Sequence, residues 1–152
     1  MTRPSAEETL DWMHVSEVLE GRLNIKVLPN GRKAIVVREA GEIRVFDEVC
    51  PHLGADMAEA TYCAKDRTLQ CRWHGYLFST VDGRMTDNPN ERFMQLLRQP
   101  SKHFNPERKP RYLLAQLPWV LFDDRIYFLR SRARDDVSQS ADGAQERDGA
   151  AR

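Results

Sequence analysis

Two short segments decide how this chain is interpreted: Cys50-Pro51-His52-Leu53-Gly54-Ala55 and Cys71-Arg72-Trp73-His74-Gly75-Tyr76-Leu77-Phe78. The first holds a cysteine and a histidine with one residue between them, and the second holds the same pair with two residues between them. Residues 53–70 separate the two pairs. Thiols and imidazoles at such short spacing are typical ligands of a metal centre. The candidate ligands are Cys50, His52, Cys71 and His74.

The spacing leaves two kinds of metal centre to consider. Zinc accepts cysteine and histidine, but structural zinc sites usually show ligand pairs two to four residues apart, and the single residue between Cys50 and His52 is tight for one small ion. In a two-iron cluster, each segment could send its cysteine to one iron and its histidine to the other, which is the ligand set of Rieske 2Fe–2S centres. The sequence favours the cluster, with a zinc site as the alternative.

The two segments resemble the cluster-binding loops of Rieske proteins. Trp73 and Phe78 are similar to the version found in ring-hydroxylating oxygenases and their ferredoxins. The resemblance implies one 2Fe–2S cluster per chain and an all-β fold, in which an antiparallel β-sandwich base carries a small cluster-binding β subdomain. Respiratory and photosynthetic Rieske subunits add a membrane anchor and a disulfide between the loops. Here the corresponding loop positions are Ala55 and Trp73, which cannot form one.

Composition narrows the class of protein. The chain has 152 residues, 41% of them hydrophobic, which is enough for one core and predicts one domain. Lys+Arg and Asp+Glu both number 23, so nothing in the charge favours nucleic acid or an anionic membrane as a partner. Three cysteines are too few for a disulfide framework and fit a reducing cytoplasm. No apolar run approaches the length of a membrane span.

The pattern of short β-rich runs and glycine-bearing turns predicts an antiparallel all-β domain over residues 12–130, with the cluster-binding part at about 48–80. Residues 1–11 are expected to be a flexible N-terminus. Residues 131–152 are polar and charged and are expected to form a disordered tail. Strands are expected at residues 112–117, 119–122 and 125–130.

The segment between the second loop and these last strands is harder to interpret. Pro89 is a candidate for a proline-bearing loop that shields the cluster. Residues 91–97 could form a helix stopped by Pro100. Residues 93–111 resemble an insertion, and the basic part from Ser101 to Arg111 could contact an acidic partner, although a solvated loop is the more common use of such a charge run.

The surroundings of the ligand pairs suggest how the cluster would behave. By resemblance, the histidine edges are expected to be exposed at the tip of the domain, flanked by Leu53, Trp73 and Tyr76. For Trp73 and Tyr76, packing in the local core is the alternative. High-potential family members carry a serine where this chain has Tyr76 and a tyrosine where it has Phe78. Phe78 has no hydroxyl, and Tyr76 cannot place one as serine would. A hydroxyl that hydrogen-bonds to a cluster sulfur raises the potential, so we expect a potential near the low end of the Rieske range, about −150 mV.

Three functions remain. The first is an electron carrier, not an enzyme, that accepts single electrons from a flavin-dependent reductase and delivers them to an oxygenase component. The second is the detached Rieske subunit of a split oxygenase. A complete oxygenase would need a mononuclear iron site with two histidines and a carboxylate, and only His103 follows His74. The third is a sensing or structural module that uses the metal without redox chemistry.

Overall fold

The computed structural model describes residues 2–88, 102 and 111–130, and within them the chain forms ten β-strands. Their bounds in chain order are β1 Thr9–His14, β2 Leu23–Val27, β3 Lys33–Glu39, β4 Glu42–Asp47, β5 Thr61–Cys63, β6 Thr68–Gln70, β7 Leu77–Ser79, β8 Met85–Asp87, β9 Trp119–Phe122 and β10 Arg125–Leu129. Two 3-10 turns, Val15–Glu17 and Met57–Glu59, are the helical segments of the described chain, and neither could cross a membrane.

The strands form three antiparallel sheets, with orders β1-β10-β9, β2-β3-β4 and β5-β6-β7-β8. Every paired strand in these sheets is antiparallel to its neighbour, including β1 and β10, which come from opposite ends of the described chain. The all-β, antiparallel architecture expected from the sequence is therefore confirmed.

Strand β3 lies in the middle layer and packs on both faces. Ala34, Ile35, Val36 and Val37 are all fully buried. Because successive side chains of a strand point to opposite faces, Ala34 and Val36 enter one core, while Ile35 and Val37 enter another. This continuous apolar run is what a strand covered on both sides requires.

The two cores correspond to the two parts of the domain. One core joins β3 and β4 to β1 and β10 through side chains such as Met13, Val45, Ile126 and Phe128, and it forms the sandwich base. The other joins the opposite face of β3 to the four-stranded sheet and the ligand loops, with Phe46, Met57, Leu69 and Phe78 at its centre. The ligand loops are therefore packed directly against the base.

Several boundaries differ from the sequence-based expectation. Strand β1 begins at Thr9, so residues 9–11 of the segment expected to be flexible pair with β10. Residues 112–117 do not form a strand, and instead make isolated bridges through Leu113 to Arg84 and through Gln116 to Phe46. Pro118 ends this stretch, because proline cannot donate to a sheet ladder. The predicted helix at 91–97, Pro89 and the tail at 131–152 lie outside the described residues.

Candidate metal centre

The first ligand loop follows β4 and is closed by its own backbone. The amide of Cys50 donates to the carbonyl of Ala55 at 2.9 Å, and the amide of Gly54 donates to the carbonyl of Cys50 at 2.9 Å. Gly54 has φ +77°, a conformation that glycine adopts without steric cost. Asp56 then accepts a hydrogen bond from the amide of Ala58 at 2.8 Å and caps the following 3-10 turn.

The second loop, between β6 and β7, repeats the same backbone pattern. The amide of Cys71 donates to the carbonyl of Tyr76 at 2.8 Å, and the amide of Gly75 donates to the carbonyl of Cys71 at 2.9 Å. Gly75 has φ +72°. The glycine stands at the same distance after the cysteine in both loops, although His52 and His74 occupy different positions within them. The two glycines are therefore required by the turn itself, and at Gly54 a Cβ would meet no protein atom within 4 Å.

The two loops bring the cysteines together at the bottom of the site. Cys50 and Cys71 are both buried in the core beneath the loops, and neither forms a disulfide. Burial raises the pKa of the Cys50 thiol, and the neighbouring Cys71 raises it further against the opposing backbone N–H groups of His52 and Leu53. A buried pair of thiols in contact is a site at which a metal can replace the protons.

The rings of the two candidate histidine ligands are in contact with each other. The ring centroids of His52 and His74 lie 4.7 Å apart with the planes at 88°. Burial, and then the nearby His74, lower the pKa of His52, so its neutral, metal-binding form is favoured. Its Nδ1 atom is buried and has no hydrogen-bond partner among the described residues. Burying a polar atom without a partner costs free energy. A metal ion is one partner to which an imidazole nitrogen can donate its lone pair.

The four candidate ligands are thus arranged as two pairs rather than as one group of four. Within the described part of the chain, no set of three or more His, Cys, Asp or Glu side chains is placed to hold a single ion. A tetrahedral zinc site needs four converging ligands, whereas a Rieske cluster needs two cysteines on one iron and two histidines on the other. The residues present fit the two-iron cluster.

Aromatic and apolar side chains surround the imidazoles. Leu53 and Trp73 are 66% and 64% exposed, as expected for residues that flank the histidines at the tip. Tyr76 instead packs in the local core, the alternative that the sequence left open: it is only 8% exposed, and its ring centroid lies 4.3 Å from that of His52. Tyr112, which the sequence suggested only as a strand residue, also contacts His52, with the ring centroids 5.4 Å apart. No local spacing in the sequence links Tyr112 to the ligand loops.

The sequence model of the Rieske [2Fe-2S] domain family matches residues 8–99, which is more than half of the chain. The chain belongs to the Rieske family. Its cofactor is therefore a 2Fe–2S cluster, and the chemistry that this group supplies when bound is the gain and loss of one electron. The Rieske domain is an electron-transfer domain, and the match includes both ligand loops.

The curated relatives of this Rieske protein are much longer chains. It is 30% identical over 96 residues to the terminal oxygenase component of carbazole 1,9a-dioxygenase from a Sphingomonas species, and 29% identical over 75 residues to cholesterol 7-desaturase from Caenorhabditis elegans. These alignments include 60% and 49% of the present chain. The chain spans only 24% and 18% of the length of these two relatives.

Solved structures with a similar fold include small ferredoxins. The Sphingomonas yanoikuyae B1 ferredoxin matches 81% of the present chain and 99% of its own, with a TM-score of 0.57 and 16% identity. The ferredoxin of carbazole 1,9a-dioxygenase from Nocardioides aromaticivorans IC177 matches 80% and 93%, with a TM-score of 0.55 and 14% identity. At these identities the likeness establishes the fold.

Proposed function

We propose that this Rieske protein is an electron carrier in which Cys50, His52, Cys71 and His74 hold the cluster, and that it passes single electrons from a reductase to an oxygenase component. In this proposal the chain itself transforms no substrate. The reductase would be flavin-dependent, and the carrier would act in a reducing cytoplasm, which suits the thiol of Cys63, a residue outside the candidate ligand set.

The observation that carries this proposal is the division of the site into a buried thiol pair and a pair of imidazoles nearer the surface. Cys50 and Cys71 lie inside the core, so the sulfur side of the site is shielded from water. The imidazoles are only partly buried, and the exposed Leu53 and Trp73 stand beside them. An electron leaving through a histidine edge would therefore meet a partner over a small apolar surface, which suits a brief encounter.

Proteins of similar fold support an oxygenase component as one of the partners. Ferredoxins of similar fold belong to dioxygenase systems, and one structure with a similar fold is described as the reduced complex between oxygenase and ferredoxin in carbazole 1,9a-dioxygenase. The present chain matches 93% of the ferredoxin of carbazole 1,9a-dioxygenase from Nocardioides aromaticivorans IC177 and 32% of the terminal oxygenase from the same organism.

Electron paramagnetic resonance of the dithionite-reduced protein, with iron and acid-labile sulfide counts, tests the proposal. We expect two irons and two sulfides per chain and an average g value below that of all-cysteine clusters. A His52→Ala, His74→Ala double variant should lose this signal, because one iron would lose both protein ligands. His14→Ala is the matched control, since His14 lies in β1 and should leave the signal unchanged. A wild-type protein without labile sulfide, or a double variant with an unchanged spectrum, would refute the proposal.

The second candidate is the detached Rieske subunit of an oxygenase whose catalytic iron lies on another chain. It is favoured by the 30% identity over 96 residues to a terminal oxygenase component. In the structural alignments, too, the identity to the terminal oxygenase from Nocardioides aromaticivorans IC177 is 20%, against 14–16% to the two ferredoxins. Affinity purification of the protein from its native cells separates the two. A carrier should elute without a stoichiometric partner, whereas a subunit should bring down a larger iron-containing chain.

A further inference from the structure

The two imidazoles of the site have different neighbours. The ring centroid of His52 lies 4.3 Å from that of Tyr76, with the planes at 39°, and 5.4 Å from that of Tyr112, with the planes at 62°. The two tyrosine rings also contact each other edge to face, with their centroids 5.5 Å apart and their planes at 87°. His74 instead faces His52 and the exposed Trp73, whose ring centroid lies 6.5 Å away. His52 therefore packs against two tyrosine rings.

Tyr112 reaches His52 from a part of the chain that lies beyond the matched family region. It reaches the site because residues 112–114 are hydrogen-bonded to the turn between β7 and β8 and to the start of β8. The amide of Met85 donates to the carbonyl of Tyr112 at 3.1 Å, and the amide of Leu114 donates to the carbonyl of Gly83 at 2.8 Å. Leu114 itself is fully buried in the core beneath the ligand loops.

Gly83 makes this approach possible. It has φ +80°, and a Cβ at this position would overlap the carbonyl oxygen of Leu114. The backbone around Tyr112 therefore packs on a turn that tolerates no side chain at that point. Because two backbone hydrogen bonds and a buried leucine fix the segment, the Tyr112 ring has a defined place against His52.

We propose that Tyr112 is a positioning residue for the cluster: together with Tyr76 it encloses the His52 ring and holds that ring in one orientation. The inference rests on the proposed role of His52 as a ligand. Edge-to-face and tilted contacts of this kind favour specific ring orientations, so loss of the Tyr112 ring leaves His52 held only by Tyr76 and by its own loop. The phenol oxygen has no part in this role.

The test compares variants of the cluster-loaded protein. Tyr112→Phe keeps the ring and should match the wild type in the line widths and g values of the reduced cluster. Tyr112→Leu fills the space without a ring and should broaden the lines. It should also lose its cluster to a chelator about 3- to 10-fold faster, which corresponds to the usual strength of such aromatic contacts. Tyr112→Ala is measured beside it, so that a folding failure of one variant leaves the other.

Leu113→Ala is the control, because Leu113 is 58% exposed and has no ring. It should leave both the spectrum and the rate of cluster loss unchanged. Wild-type line widths and lifetime in Tyr112→Leu or Tyr112→Ala would overturn the inference, as would a Tyr112→Phe variant that is as disturbed as Tyr112→Leu. These outcomes leave the proposed function intact, whereas a wild-type protein that binds no cluster refutes the proposed function itself.

Discussion

At the scale of single residues, Gly83 is a position at which the fold leaves no room for a side chain. A Gly83→Ala substitution would place a methyl group against the Leu114 carbonyl and near the Phe46 ring, and it would also force alanine to φ +80°. We expect the unfavourable backbone conformation to cost about 1–2 kcal/mol and the overlap to add about 1–3 kcal/mol. Denaturant unfolding of the purified protein measures the total.

Gly41→Ala separates the two costs. Gly41 has φ +79°, but a Cβ there would meet nothing within 4 Å. This control should therefore show only the backbone cost. Equal losses of unfolding free energy in the two variants would mean that the segment of Leu114 moves away without cost, and the close approach would then have no structural importance.

A substitution at Phe78 tests the low reduction potential that the sequence predicts for the cluster. It is fully buried in the same core as Cys50 and Cys71, and it brings no hydroxyl to the site. Phe78→Tyr should raise the midpoint potential from the low value expected for this chain, if the new hydroxyl donates to a sulfur of the site. One hydrogen bond of about 1 kcal/mol corresponds to about 40 mV for one electron.

A spectroelectrochemical titration measures the shift. Phe46→Tyr is a demanding control, because Phe46 is equally buried in that core but lies on β4 rather than beside the second loop. A wild-type midpoint well above zero, or equal shifts in both variants, would contradict the explanation based on the missing hydroxyl.

At this scale the sequence predicts the candidate ligands but only part of their surroundings. Cysteine and histidine are separated by one or two residues within each loop, so local spacing alone predicts the two pairs. Tyr112 could not be found in this way, because its contact with His52 depends on how residues 112–114 bond to the β7–β8 turn. The sequence left Tyr76 between the rim and the local core, and it is buried because the turn that closes the second loop directs it toward His52.

At the scale of elements, the junction between the base and the ligand-bearing sheet is polar. Glu39, at the end of β3, is buried and accepts hydrogen bonds from Tyr62 at 2.8 Å, Arg67 at 2.7 Å and Thr80 at 2.6 Å. These donors come from β5, from the turn before β6 and from the end of β7. One carboxylate therefore joins the middle sheet to three segments of the cluster-binding sheet.

This arrangement predicts a pH dependence of stability. Burial would raise the pKa of Glu39, but the hydrogen bonds from Thr80, Arg67 and Tyr62, together with the charge of Arg67, outweigh it and lower that pKa. A carboxyl whose pKa is lowered by folding contributes stability that is present above its unfolded pKa of about 4.3. That contribution is lost as the pH falls through the lowered, folded value.

Glu39→Gln is the variant that measures this contribution. At neutral pH we expect it to lower the free energy of unfolding by about 2 kcal/mol, the usual strength of charge-assisted hydrogen bonds. The difference from wild type should shrink as the pH is lowered below about 4. Asp56 also has a lowered pKa, because the hydrogen bond from Lys33 outweighs the opposing effect of burial, but it is present in both proteins and cancels in the comparison.

Glu42→Gln provides the matched control, because Glu42 lies on the neighbouring strand with its side chain 62% exposed. An exposed ion pair contributes little, so this variant should stay close to wild type at every pH. A Glu39→Gln variant whose loss of stability is independent of pH would show that the carboxylate charge does not hold the junction.

The sequence could not predict this junction. The continuous apolar run of β3 indicates a strand covered on both faces, but it does not show that the polar residue at its end is buried as well. The three donors that make this burial possible are distant in sequence from Glu39 and come together only when the two sheets pack. Burying a carboxylate is favourable only when such donors are all present, and this condition belongs to the tertiary structure.

At the scale of the whole molecule, β3 belongs to both cores, so the base and the cluster-binding part share one layer. Val36 faces the base core, Val37 faces the core beneath the ligand loops, and both are fully buried. Because the same strand carries both side chains, loss of packing on either face weakens a layer that the other core needs. We therefore expect the described domain to unfold as one cooperative unit.

Val36→Ala and Val37→Ala test this expectation as a matched pair. Each should lower the free energy of unfolding by about 2 kcal/mol, because each leaves a cavity in a packed core. In both variants, cluster absorption and backbone circular dichroism should change at the same denaturant concentration, although only Val37 lies on the cluster side. If Val36→Ala separated the two transitions, the base could unfold while the ligand loops kept their cluster. The shared strand would then fail to couple the two cores, and the ligand loops would depend on their own sheet and not on the base beneath them.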